Sequence, residues 1–131
     1  MTMFDDSRPV FKLDSADVDS LRRAGVILER DVAERPRVLT TGQLRYPDDL
    51  RMMGVQGRVV LRFVIGLDGR VEPSTISLVS ADDAGFISPA REALRTARFR
   101  PGRVGGRPVR TLVNLPFDFK IRRRSRMTRI P

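Results

Sequence analysis

The feature that most constrains the fold of this chain is a long run of alternating residues near the C-terminus. Seven residues at every second position are apolar or β-branched, namely Val109, Thr111, Val113, Leu115, Phe117, Phe119 and Ile121. Because successive side chains of a strand point to opposite faces, this alternation predicts a β-strand with one buried face. Pro116 lies inside the run and has no N–H to donate, so we expect an edge strand. An open edge can accept a further strand from another chain.

The composition excludes several kinds of chemistry. The 131 residues contain no Cys and no His, which removes disulfides, thiolate metal sites and the commonest catalytic base. Asp82 and Asp83 are adjacent, but Ala84 and Gly85 follow them, which indicates a turn rather than a pair of catalytic carboxylates. Residues 102–107 are rich in glycine but lack the ending and the following helix of a phosphate-binding loop. We therefore expect no enzyme, no bound metal and no cofactor.

The net charge is strongly positive and is concentrated at the C-terminus. The formal charge is +9, and the last ten residues contain five arginines and no acid. We expect residues 122–131 to form a basic, disordered tail, as charge clusters usually do. The same tail supports an alternative function, a basic module that binds nucleic acid or an anionic membrane. Because the chain has one Tyr and no Trp, it offers few aromatic platforms for bases, which makes nucleic acid the weaker candidate.

The N-terminal residues 1–37 are expected to be an extension with a short helix. Asp14 or Ser15 can cap this helix and Gly25 can end it, and a brief strand follows at residues 26–28. Nothing in the first ten residues is typical of a signal peptide. No stretch reaches the roughly 20 apolar residues that span a bilayer, so we expect no targeting segment in this chain.

Residues 38–121 are expected to form one domain with the order helix, strand, strand, helix, strand. A two-turn helix follows Pro47, a central strand occupies residues 58–65, and Asp68-Gly69 predicts a hairpin turn with a strand returning over residues 71–80. Ser88-Pro89 opens a second helix, whose apolar stripe contains Ala90 and Leu94.

This order predicts a two-layer α+β fold, in which two helices cover one face of a three-stranded antiparallel sheet. The last strand is expected beside the first, with its outer side open. If Pro116 ends the usable row, the backbone available to a guest peptide is that of Val109, Arg110, Thr111, Leu112, Val113, Asn114 and Leu115.

A set of short motifs in a fixed order resembles the C-terminal domain of TonB, the energy transducer of Gram-negative bacteria. Each motif is weak alone, but the ordered set is fairly specific and extends over residues 38–121. The motifs are Tyr46-Pro47, Gly54-Val55-Gln56-Gly57-Arg58-Val59, Asp68-Gly69-Arg70-Val71, Phe99-Arg100-Pro101-Gly102, Gly106-Arg107-Pro108-Val109 and Pro116-Phe117-Asp118-Phe119.

The resemblance implies a periplasmic domain that grips the TonB-box peptide of outer-membrane receptors along the last strand of its sheet. An inner-membrane motor driven by the proton gradient then supplies the force that admits nutrients. Carried to this chain, the pairing strand lies within residues 109–119, and the segment before Tyr46 supplies a receptor contact at Gln43. A homodimer through the same edge is compatible with this function.

Two departures from the family pattern stand out. Full transducers have a membrane anchor and a Pro-rich spacer, and this sequence shows neither, so we expect inner-membrane anchoring only in a longer form. Members of the family usually carry Trp two residues before the Phe-x-Pro motif, where this chain has Ala97.

Overall fold

The structure, a computed structural model, describes residues 15–121. The predicted basic tail and the first 14 residues lie outside this range. In chain order the elements are α1 (Ser15–Arg23), β1 (Val26–Leu28), β2 (Arg37–Thr40), α2 (Asp48–Met52), β3 (Gly57–Ile65), β4 (Ser77–Ala81), α3 (Ile87–Thr96), β5 (Arg98–Arg100), β6 (Gly102–Val104) and β7 (Arg107–Phe119). Short 3₁₀ turns lie at Glu29–Asp31, Pro73–Thr75 and Ala84–Phe86.

The main sheet has the strand order β1-β7-β3-β4. β3 pairs antiparallel with β4 on one side and with β7 on the other, and the β3–β7 register runs from Gly57 opposite Phe119 to Ile65 opposite Thr111. The antiparallel sheet and the place of the last strand beside the first are therefore as predicted. The described chain has more than three strands, however, because β1 joins β7 in parallel, β6 pairs with the start of β7, and β2 pairs with β5.

One face of the sheet packs on α3 and forms the main core. β3 contributes the alternate residues Val59, Leu61, Phe63 and Ile65, all of them fully buried. Ala90 and Leu94 of α3 pack against them, as the predicted apolar stripe requires. At one end of this core, the ring of Phe86 stacks on that of Phe119 with the ring centroids 4.2 Å apart.

The opposite face of the sheet carries a second, smaller core. Val64 and Leu112 point to this face because they alternate with residues of the main core. Val26 and Leu28 of β1 pack on them, and the partly buried Val18 and Leu21 of α1 complete the cluster. The sheet is thus covered on both faces, and the predicted arrangement with helices on one face alone leaves out α1.

Several predicted elements are present but begin at other residues than the sequence predicted. The strand that returns from the Asp68-Gly69 turn is β4, which begins only at Ser77, because Pro73 starts a 3₁₀ turn in place of a ladder. α3 begins one residue before Ser88 and has no side-chain cap. Asp83 caps the preceding 3₁₀ turn, since its carboxylate accepts a hydrogen bond from the backbone N–H of Gly85 at 2.8 Å. Asp83 therefore serves a turn, as expected, whereas the buried Asp82 accepts a hydrogen bond from the backbone N–H of Arg58 in β3 at 2.8 Å.

Candidate functional site

The outer side of β7 is already partly occupied. β1 pairs with it in parallel, with Val26 opposite Arg110, Ile27 opposite Thr111 and Leu28 opposite Leu112. The prediction of an edge open along its whole length is therefore wrong at residues 110–112. The physical reason is burial, since Val26 and Leu28 are only 1% and 9% exposed beneath α1. A three-residue apolar strand is more stable when it is paired with a sheet and buried than when it is exposed to solvent.

The free part of the edge begins at residue 113 and extends to residue 119. Its inner side is paired with β3, and no strand within residues 15–121 pairs with its outer side. In an antiparallel ladder, alternate residues direct their N–H and C=O groups away from the partner, so this stretch presents a row of unpaired backbone groups. Pro116 lies in this free stretch, opposite Val60 of β3, where a missing N–H is tolerated.

An apolar cleft of about 270 Å³ adjoins the free row. Three pieces of chain line it: the segment 38–44, the C-terminal end of α3, and residues 115–118 of β7. The apolar lining includes Val38, Leu44, Ala93, Ala97, Phe99, Leu115 and Phe117.

Gly42 allows the segment 38–44 to lie so close to α3. A Cβ at this position would overlap the backbone oxygen of Ala93 and the hydroxyl of Thr96, so only glycine fits the approach. Gln43 lies in the chain between Gly42 and Leu44, which both line the cleft, and it is exposed. The structure thus brings the segment before Tyr46 and the free part of β7 to the same cleft.

Polar side chains beside the cleft link β3 to β7, and one of them, Asp118, also lines the cleft. Arg58 donates to both carboxylate oxygens of Asp118, at 2.6 and 3.2 Å, which lowers the pKa of that carboxyl group. Arg62 donates from Nε to the side-chain oxygen of Asn114 at 3.2 Å, and its burial lowers the pKa of its guanidinium. These side chains brace the β3–β7 pair, and the backbone row remains for a ligand.

The side chain of Arg110 joins β7 to two other parts of the chain. Its guanidinium donates to both carboxylate oxygens of Glu72, at 2.6 and 2.8 Å, and to the backbone oxygen of Ala24 at 2.7 Å. The hydrogen bonds from Arg110 lower the pKa of Glu72. Arg110 therefore holds the chain that enters β1 against the sheet.

The other predicted site residues divide between the two parts of the edge. Val109 pairs with Gly102 of β6, and Thr111 and Leu112 are buried beside β1. Only Val113, Asn114 and Leu115 of the predicted set lie on the free part. The cleft itself was not predicted, and of the apolar residues just before Gly42 only Val38 lines it.

A second, polar pocket within residues 15–121 is lined by Glu34, Arg35, Pro36, Arg37 and Arg100. Within residues 15–121 no group of three acidic side chains is placed to hold a metal ion. No helix in that range combines the length and apolar character needed to cross a bilayer.

Comparison with known proteins shows which family this architecture resembles. The family profile described as "Gram-negative bacterial TonB protein C-terminal" matches residues 42–121. The solution NMR structure of the Pseudomonas aeruginosa TonB CTD is similar, with a TM-score of 0.56 and 27% identity, over 76% of this chain and 96% of that one.

Two curated relatives are also similar. The chain is 33% identical over 75 residues to Protein TonB of Escherichia coli K12, and 34% identical over 79 residues to Protein TonB of Pseudomonas aeruginosa. These alignments cover 56% and 60% of this chain, but they span only 30% and 23% of the relatives. On the profile match, the chain belongs to the family of Gram-negative bacterial TonB C-terminal domains.

Proposed function

We propose that this chain is a periplasmic TonB-type module that binds the TonB-box peptide of outer-membrane receptors by strand addition. The observation that carries the proposal is the unpaired row of β7 at residues 113–119, lying along an apolar cleft. Family membership supports the class of partner. In a longer, inner-membrane-anchored form, the module would couple a proton-driven motor to nutrient uptake across the outer membrane.

The bound peptide would extend the sheet beyond β7. Its backbone would pair with the outward N–H and C=O groups of residues 113–119, and alternate side chains would enter the cleft. This placement keeps Val113, Asn114 and Leu115 from the predicted set and adds residues 116–119. Gln43, whose chain neighbours Gly42 and Leu44 line the cleft, would contact the same peptide.

The expected affinity is modest. Seven residues direct roughly half of their backbone groups outward, which allows at most about six hydrogen bonds of about 0.5–1.5 kcal/mol each. Ordering of the peptide and loss of its translational freedom offset much of this gain. Reversible binding with a micromolar Kd is therefore expected, which suits a partner that must be released after each transport cycle.

Titration of ¹⁵N-labelled protein with a synthetic TonB-box peptide tests the proposal. Amide shifts are expected at residues 113–119 and in the segment 38–44, with little change in β4. A peptide series with one backbone N-methyl group per member provides the matched control. Because strand pairing uses every second residue, methylation should weaken binding at alternate positions only. Shifts confined to β4, or a methylation series without alternation, would contradict strand addition.

The alternative function, a basic module for nucleic acid or anionic membrane, rests on residues 122–131, which lie outside the described range. Salt dependence separates the two functions. Strand addition should change little between low and high salt, whereas phosphate-dominated binding should weaken steeply. Sedimentation at several protein concentrations would reveal a homodimer that uses the same edge.

A further inference from the structure

The N-terminal arm, defined as α1 and β1 together with the turn at residue 25, lies on the row that a receptor peptide would extend along. We infer that this arm is a built-in competitor, which occupies residues 110–112 of β7 and must detach before a bound segment can pair there. The inference rests on the proposed function, because it concerns the same backbone row.

The pairing geometry makes the arm a substitute for a guest strand. β1 lies alongside β7 as an added strand, and its three residue pairs satisfy the outward backbone groups of residues 110–112. Immediately beyond, residues 113–119 have no strand on that side within the described chain. A guest strand that started on the free row could therefore continue only by displacing β1.

The arm can leave without dismantling the main core. Its apolar contacts belong to the smaller cluster around Val64 and Leu112, whereas α3 and Phe86 belong to the larger one on the other face. Elements with few buried contacts open locally at lower free energy than the core of a domain. The ion pair between Arg22 and Asp31 is long, at 3.6 Å, and exposed, so it holds the arm weakly.

A fixed point lies just after the arm. The backbone N–H groups of Ala33 and Glu34 both donate to the oxygen of Arg103, at 2.9 and 3.0 Å, and Arg103 donates back to Glu34 at 3.0 Å. β2 then pairs with β5. Detachment would therefore stop before Ala33, and the turn at Glu29–Asp31, which buries no residue, would be the joint. On the arm side, the bond from Arg110 to the oxygen of Ala24 must break together with the β1–β7 pairing and the apolar contacts of Val26 and Leu28.

Two binding modes follow from this arrangement. With the arm in place, a peptide can pair only with residues 113–119. With the arm released, the row extends through residues 110–119, and the peptide gains further hydrogen bonds. A ligand that needs a minority conformation binds with an apparent affinity reduced by the population of that conformation. The arm would thus favour partners long enough to displace it.

Hydrogen exchange on the unmodified chain gives the first test. Amides of β1 should exchange through local opening, at least about tenfold faster than the amides of β3 at residues 61–64. Equal exchange at both places would show that the arm opens only with the whole domain, and it would overturn the inference.

A pair of matched double variants in the full chain gives the second test. Val26→Ala with Leu28→Ala removes apolar contacts of the arm, and Leu78→Ala with Val104→Ala removes the same side chains from exposed positions elsewhere. With a TonB-box peptide as the probe, the arm variant should bind about tenfold more tightly, as expected for about two additional hydrogen bonds. Its amide shifts should extend to residues 110–112, and the control should bind as the unmodified chain does.

The outcomes distinguish this inference from the proposed function. If the peptide shifts residues 113–119 equally in all three proteins, the proposed function stands and the competitor role of the arm is wrong. If the peptide binds none of them at this edge, the proposed function fails and the inference fails with it. If the arm variant instead fails to fold, the native amide signals of Phe63 and Leu94 would be lost. In that case, the hydrogen-exchange comparison on the unmodified chain decides whether the inference holds.

Discussion

Filling the cleft at Ala97 should weaken peptide binding while the domain stays folded. Ala97 is 3% exposed and lines the cleft beside Leu115 and Phe117 of β7. The cleft holds about 270 Å³, nearly twice the roughly 150 Å³ of an engineered apolar cavity that accepts benzene in another protein. The phenyl ring of an Ala97→Phe variant therefore has room to enter it, and overpacking strain should be small.

The expected loss of affinity follows from the peptide side chain that the new phenyl ring would keep out of the cleft. Burial of one Leu-sized side chain contributes about 1.5–3 kcal/mol, so its exclusion should raise the Kd about tenfold to a hundredfold. Isothermal titration calorimetry would compare two TonB-box peptides that differ by Leu or Ala at the position facing the cleft. The Leu peptide should lose this affinity, and the Ala peptide should lose little.

The control is Ala33→Phe, an exposed position away from the cleft, which should leave the affinity for both peptides unchanged. Thermal denaturation would confirm that both variants are folded. An equal loss for the Leu and Ala peptides with Ala97→Phe would refute the argument, because it would mean that no side chain of the peptide enters the cleft.

Three further predictions concern the scaffold of the site. Glu72→Gln should cost about 1 kcal/mol of stability at neutral pH. The pKa of Glu72 is lowered below its ordinary value of 4.5, so the stability difference between the two proteins should be lost as the pH falls below 4.5. Thermal melts at several pH values would show this loss. Gly42→Ala should destabilise by about 1–3 kcal/mol and weaken peptide binding, since its Cβ would displace the segment from Ala93; urea denaturation and calorimetry measure both. Phe119→Ala should lower the free energy of unfolding by about 3–5 kcal/mol in urea denaturation, because removal of the stacked ring leaves a void in the core. A decrease of less than about 1 kcal/mol would contradict this prediction.

The antiparallel part of the fold could be predicted because its signal is local. The core-facing positions of β3, which are Val59, Leu61, Phe63 and Ile65, recur at every second residue and are all buried. β7 repeats the same period from Val113 to Phe119. The Asp68-Gly69 turn and the positive φ of Gly69, +83°, fix the direction of the chain after β3. In these places propensity, periodicity and turn chemistry agree, so the local sequence is sufficient.

The pairing of β1 with β7 could not be derived in the same way. Val26–Leu28 was predicted as a brief strand, but three residues carry no information about which of several strands they join. Its partner lies more than 80 residues away, and the choice depends on Val64 and Leu112, whose apolar side chains need cover on the second face. β2 and β5 were missed for a related reason, since each is short and is defined only by pairing with the other.

Pro116 shows how a correct local rule can be applied too broadly. Proline predicts an edge because it cannot donate to a neighbouring strand, and that inference concerns one residue rather than a whole strand. At Pro116 the outer side is indeed without a strand partner in residues 15–121, whereas six residues earlier, at Arg110, the same strand lies inside the sheet. β7 is therefore an edge strand at one end and an interior strand at the other. Because the boundary falls between residues 112 and 113, the length of a bound peptide becomes the variable that decides whether it meets the arm.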